Sequence, residues 1–169
     1  MRLCVGIVVL LPVFLAVGAT SSSPDMYPPI SGLSLANLQD TFEEVHNGHR
    51  HEAIDILEPR GTPVHAVVSG TIRKLFLSKL GGNTIYQFDE IGAYCYYYAH
   101  LDGYAKGLRE GMQVERGDVI GFVGSTGNAD ARTPHLHFAI FELGSERQWW
   151  KGKAVNPYPG LVDALKRTK

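Results

Sequence analysis

The sequence predicts a single-domain, mainly β protein whose antiparallel strands form a sandwich-like or barrel-like arrangement. Three observations carry this reading. Short apolar runs alternate with glycine turns through the middle of the chain, at Gly70, Gly81-Gly82, Gly92, Gly103, Gly111, Gly117, Gly121, Gly124 and Gly127. Many short strands with closely spaced turn signals are the mark of an all-β arrangement. The run Pro134 to Phe141 holds the strand formers Phe138, Ile140 and Phe141. Finally, 169 residues with 44% hydrophobic and 20% charged content suit one domain with an ordinary core.

The chain divides into three parts. Residues 1–19 are Met1-Arg2 followed by an apolar run from Leu3 to Ala19, with small residues at Ala16, Gly18 and Ala19. This pattern predicts a secretory signal cleaved near Ala19 or Thr20. A retained anchor is the alternative, because a run of about 17 residues sits at the lower edge of a membrane span. Pro12 and the stretch Thr20 to Pro24 favour cleavage, which leaves no membrane span. Residues 20–32 are Ser/Pro-rich without periodicity and read as a flexible lead-in. Residues 33–169 form the folded domain. Within it Leu35, Leu38, Phe42 and Val45 recur at three- and four-residue spacing behind Ser34, predicting a short N-terminal amphipathic helix. Leu161 to Lys169 suits a short C-terminal helix.

Charge excludes one function class. Without residues 1–19, which hold Arg2 alone, 15 basic residues face 17 acidic ones. That balance offers no basic patch for nucleic acid. After cleavage only Cys95 remains, so an intramolecular disulfide is excluded. Cys95 reads as a small hydrophobe on its strand.

The chemistry gathers in three segments. His135 and His137 are two apart and share a face only on extended backbone; a helix would set them roughly 200° apart. His51 and Asp55 are four apart, an even spacing that also shares a face on a strand, and Ile54, Ile56, Pro59, Gly61 and Pro63 favour a strand running into a turn. Imidazole and carboxylate are both zinc ligands, and three protein ligands with one open position make a catalytic zinc site. His51, Asp55 and one of the two later histidines complete such a set. The third segment is Tyr96 to Leu101. Its alternation puts Tyr96, Tyr98 and His100 on one face and Cys95, Tyr97 and Ala99 on the other, with Tyr96 and Tyr97 read as packing residues.

Taken in order, His51 with Ala53-Ile54-Asp55, then Tyr98-Ala99-His100-Leu101, then His135-Leu136-His137-Phe138 resemble the lysostaphin-like (LytM-type) zinc endopeptidases of bacterial cell walls. Further matches are Arg60 to Ala66, Gly70-Thr71-Ile72, Gly111 to Gly121, Gly124-Ser125-Thr126-Gly127 and Asn156-Pro157. The resemblance spans roughly residues 45–160. Ala53 stands where family members commonly have Gly, a change of one methyl that keeps strand geometry.

The resemblance implies a fold of the duplicated hybrid motif type, one Zn2+ per chain held by His51, Asp55 and His137, and catalytic roles for His135 and His100. Zinc lowers the pKa of bound water from about 15.7 toward 7 and polarises a carbonyl. An imidazole one strand-step from a ligand can take a proton near neutral pH, and a second can serve the developing oxyanion. His135 is expected as general base and His100 as transition-state stabiliser, with the exchanged assignment left open. The substrate implied is a stem or bridge peptide of peptidoglycan, cut by a monomer exported to the bacterial periplasm or beyond.

Other features read plainly. His46 and His49 lie in a polar loop, and His65 is an outward strand position. Trp149-Trp150 reads as an edge-packing pair, with a substrate rim as the alternative. Gly124 to Gly127 lacks the Lys of a phosphate loop and reads as a tight turn feeding the His135 strand. Two other classes compete with the enzyme: an inactive relative that binds wall or activates another hydrolase, and a histidine phosphocarrier. The retained ligand pairs and His100 oppose the first. The leader, and the lack of any task for Asp55, oppose the second.

Overall fold

Alternating burial along each run shows why these segments are strands: Ile54 and Ile56 are buried while Asp55 between them is not, and Leu136, Phe138 and Ile140 alternate with the half-buried His135 and His137. The computed structural model describes residues 25–46 and 48–167; the expected signal segment lies outside them. The strands are β1 (Val45–His46), β2 (His49–Arg50), β3 (Ile54–Leu57), β4 (Pro63–His65), β5 (Gly70–Ser78), β6 (Gly82–Asp89) and β7 (Tyr94–Leu101). They continue as β8 (Gly103–Tyr104), β9 (Gln113–Val114), β10 (Val119–Phe122), β11 (His135–Leu143) and β12 (Gly152–Val155), before helix α1 (Tyr158–Arg167).

All pairings are antiparallel. The main sheet has seven strands in the order β12-β11-β7-β6-β5-β9, with β3 also paired to β11. Its organiser is β11. The C-terminal half of β11 pairs with β12, its N-terminal half with β3, and β7 runs along its other edge. A second sheet, β4-β10-β8, closes the core from one side. The mainly β antiparallel architecture is the one the sequence predicts, with open sheets and no closed barrel.

The core lies between the sheets. Ile54, Ile56, Ile72, Ile85, Tyr96, Tyr98, Leu136 and Phe138 meet Val64, Val67, Ile120 and Val123, and α1 adds Leu161, Ala164 and Leu165. Tyr98 ties the layers together. Its hydroxyl donates to Gln87 Oε1 (2.9 Å) and accepts the Val67 N–H (3.1 Å), while Gln87 Nε2 donates to the Val68 carbonyl (2.6 Å). This satisfied network fixes β7, and hence the sheet face opposite the core, where the functional residues lie.

Two expectations are corrected. The N-terminal helix is absent: only a 3-10 turn forms at Leu35–Asn37, and Ser34 makes no side-chain cap. Leu38 is buried, Phe42 is half-buried and Leu35 and Val45 are exposed, so only Leu38 and Phe42 of the spaced residues meet the core. Asp40 Oδ1 accepts the Phe42 N–H (3.2 Å), a local side-chain bond that competes with helix. The lead-in, expected to be loose, packs from residue 25 onward. Met26 and Ile30 are buried, the Tyr27 N–H donates to the Val67 carbonyl, and the His65 N–H donates to that of Pro29. The C-terminal helix forms, beginning at Tyr158. Among the described residues no helix is long and apolar enough to cross a membrane.

Candidate metal centre and active site

Strand register creates the first half of the site. Asp55 on β3 lies directly opposite His137 on β11, so both side chains rise from the same face. On the other side of His137 the register partner is Ala99, whose methyl leaves the space above the pair open. His51 arrives differently from expectation. β3 begins only at Ile54, and Glu52 takes φ +54°, so the backbone reverses between the two residues. Thr41 secures the result. Its carbonyl accepts Nδ1–H of His51 (3.0 Å), while its hydroxyl donates to the Ala53 carbonyl and accepts the Asp55 N–H (both 3.2 Å). With Nδ1 committed, Nε2 of His51 points at the other two residues.

Three electron-rich atoms converge there. His51 Nε2 stands 3.1 Å from His137 Nδ1 and 3.2 Å from Asp55 Oδ1, and the last two are 3.0 Å apart. A tetrahedral zinc ion with bonds of about 2.0–2.1 Å spaces its ligand atoms about 3.3 Å apart. All three edges fit. Two ring lone pairs and a carboxylate at such distances repel one another unless a proton or a cation lies among them. The protonation balance reflects this. Burial pushes the Asp55 carboxyl up, but the bonds from His137 and His51 outweigh it and hold it far below the usual carboxylate range. The Asp55 hydrogen bond raises His51, against burial. The residues present therefore fit a divalent cation, and the Thr41 carbonyl fixes the His51 ring in the manner of outer partners at metal sites.

Two more imidazoles face this trio. His135 and His100 lie with ring centroids 4.9 Å apart, and His100 is 5.5 Å from His137. Each donates Nδ1–H to a backbone carbonyl, His135 to Thr133 and His100 to Thr126 (both 2.9 Å). His135 Nε2 stands 3.9 Å from Asp55 Oδ2. Simple alternation would have sent His100 to the core with Tyr96 and Tyr98. It reaches the site because its φ is +59° and β7 carries an extra residue against β6 between Tyr98 and Leu101, a bulge that re-aims the side chain.

The turn at Thr126 holds His100 in place. The Thr126 hydroxyl donates to the Leu101 carbonyl (2.8 Å) and accepts the Asn83 N–H (3.0 Å). Gly82 (φ +63°) and Gly127 (φ +76°) let the turn at 80–82 close on it; a Cβ on Gly82 would overlap Thr126, and one on Gly127 would overlap Leu80 and Gly82. Gly124 to Gly127 is thus the turn that leads to β11, and it also positions an imidazole.

The cleft is lined by His51, Asp55, His100, His135 and His137, together with Leu80, Gly81, Tyr97, Ala99 and Asn128 to Asp130. All five candidate residues converge there. Sequence reading missed Tyr97, whose ring lies 6.0 Å from that of His137, although its place in the alternation with Ala99 and Cys95 carried the signal. It also missed Thr41, which no motif marks, and the part played by Thr126, which the Gly124 to Gly127 turn contains. The remaining described histidines stay apart: His49 is exposed on β2, and His65 donates to the Gly117 carbonyl (2.8 Å) beside Tyr27. Cys95 is buried with its thiol pushed up to about 12 by burial, which removes it as a nucleophile.

Burial lowers the His100 imidazole to about 4, against the Thr126 contact that favours its charged form. The unfolded chain, with His near 6.5, binds that proton first. Stability of the metal-free protein is therefore expected to fall by about 2–3 kcal/mol on this account as pH drops from about 6.5 to 4. Asp55 adds its own loss only below the carboxylate range, and the raised His51 loses its contribution only at higher pH. In urea melts the stability of wild type relative to His100→Gln should fall by about 2–3 kcal/mol between pH 7 and pH 4. A difference that stays constant with pH contradicts the assignment.

A carboxylate and two imidazoles converge on one point, faced by two further imidazoles in an open cleft on an antiparallel β scaffold, a donor set that could hold a metal ion. Residues 49–157 match the profile of Peptidase family M23, and the chain belongs to that family. It is 36% identical over 116 residues to an L-Ala--D-Glu endopeptidase of Bacillus subtilis, covering 66% of this chain and 34% of that protein. A peptidoglycan DD-endopeptidase of Vibrio cholerae is 32% identical over 94 residues, covering 56% and 21%. The solved antimicrobial peptidase lysostaphin from Staphylococcus simulans aligns with TM-score 0.63 and 31% identity, over 76% of this chain and 50% of that one. The chain spans about a third or less of the two curated relatives.

Proposed function

We propose that this protein is a zinc-dependent endopeptidase that hydrolyses peptide crosslinks or bridges of bacterial peptidoglycan. The observation that carries the reading is the His51–Asp55–His137 triangle, with edges of 3.0–3.2 Å. Its mixed nitrogen and oxygen donors suit zinc better than calcium or magnesium, which favour oxygen alone. When bound, the ion polarises the scissile carbonyl and makes water acidic enough to attack near neutral pH.

The chain's own residues do the rest. His51, Asp55 and His137 hold the ion, and Thr41 keeps the His51 ring turned toward it. His135, with its Nδ1–H on Thr133, presents Nε2 as the base that takes the proton of the attacking water. His100 serves the transition state from beside His135, their rings 4.9 Å apart. Its neutral ring accepts a hydrogen bond at Nε2, and it donates there only after gaining a proton, a change its burial opposes. The exchanged assignment makes His100 the base, and pH–rate profiles of the two single variants separate them. Export to the periplasm or beyond, and action as a monomer, complete the reading.

The test is direct. The protein is incubated with purified sacculi of different crosslink chemistry, and the released fragments are identified by mass. New amino and carboxyl ends at one peptide bond, lost with a chelator and restored by zinc, support the proposal. Intact crosslinks in every sacculus tested, with zinc bound, favour the inactive wall-binding relative instead.

A further inference from the structure

The sheet face that carries the site continues away from it as a strip of aromatic rings. Tyr97 lines the cleft beside His137, and its ring lies 4.7 Å from that of Tyr86. Trp149, from the β11–β12 loop, stands edge-on to Tyr86 at 4.7 Å and tilted to Phe76 at 5.6 Å, and Trp150 meets Trp149 at 5.3 Å. Register puts the strand members on one face: Tyr97 opposes Tyr86, and Phe76 opposes Thr84. The inner rings pack on the sheet. The outer ones do not need solvent exposure for that task, yet Trp150 is 63% exposed and Phe76 40%. Leu80, 67% exposed at the β5–β6 turn, lines the cleft together with Tyr97.

We propose that this strip seats the sugar rings of the amino-sugar strand that carries the peptide; the proposal rests on the peptidoglycan reading above. A peptide held at the metal centre keeps its polymer within a short tether of the cleft, so the polymer passes over adjoining surface. Pyranose rings present apolar C–H faces and polar rims, and flat aromatic faces bordered by hydrogen-bonding side chains match both. Here Gln148 and Lys151 flank the tryptophan pair, with Glu146 and Arg147 just before it. That mixture lacks the basic cluster an anionic membrane surface attracts, and an exposed apolar strip of this kind marks an interaction site.

The experiment has two arms, both on the whole protein. Tryptophan fluorescence is titrated with soluble, peptide-free glycan strands of acetylated amino sugars. Wild type is expected to bind, Trp150→Phe to keep most of the affinity, and Trp150→Ala to lose about tenfold or more. Cleavage is then compared on a crosslinked peptide dimer with and without its sugars. Trp150→Ala should raise KM on the sugar-bearing dimer, leave kcat unchanged, and leave the bare peptide unaffected. Absence of glycan binding by wild type overturns the proposal. So does an equal loss on both dimers, or a protein dimer in solution that buries Trp150. Glycan binding without any cleavage supports this surface while defeating the peptidase reading, so the two failures are told apart.

Discussion

Asp55→Ala and His137→Ala are expected to abolish zinc retention and to lower peptidase activity by about 10⁴-fold or more, because the whole shift in water acidity, from about 15.7 toward 7, depends on the bound ion. The two residues oppose one another across β3 and β11, with their donor atoms 3.0 Å apart. Removing either leaves two donors and an incomplete site. The fold should persist, since the core-facing neighbours Ile54, Ile56, Leu136 and Phe138 are untouched. Zinc content and circular dichroism, measured on the same preparations, check both parts. A variant that keeps full zinc and activity contradicts the ligand set.

His135→Ala and His100→Ala are expected to keep the metal and lose rate, each by about 10²–10⁴-fold, the range for a positioned proton-transfer group. Neither ring belongs to the converging trio: His135 Nε2 lies 3.9 Å from Asp55 Oδ2, and the His100 ring is held by Thr126 with its centroid 5.5 Å from that of His137. The loss should appear mainly in kcat, with zinc stoichiometry unchanged. Equal metal loss in these variants and in the ligand variants would overturn the division of labour.

Much of this was legible because strands keep a period of two. His135 and His137 had to share a face on any extended backbone, and the glycine turns around them marked the sheet. Pairing across strands was less visible: nothing in Asp55 itself says that it will oppose His137. Parity failed at two places, Glu52 and His100, where left-handed backbone reverses the alternation. There the motif resemblance named residues that the fold does bring together, although the stated geometry was wrong. The helix expected over Ser34 to Val45 failed for a different reason. Its apolar spacing was real, but Asp40 bonds its own backbone nearby and only Leu38 of the four is buried. Thr41 and Thr126 hold the imidazoles through carbonyl oxygens, which every residue has, and brace the neighbouring backbone through their hydroxyls, which spacing does not reveal.

The most direct measurement is elemental analysis of folded, purified protein after equilibration with zinc and removal of the excess. The account predicts close to one zinc per chain in wild type and close to none in Asp55→Ala. Folded wild-type protein that carries no zinc and takes up none when it is offered contradicts it.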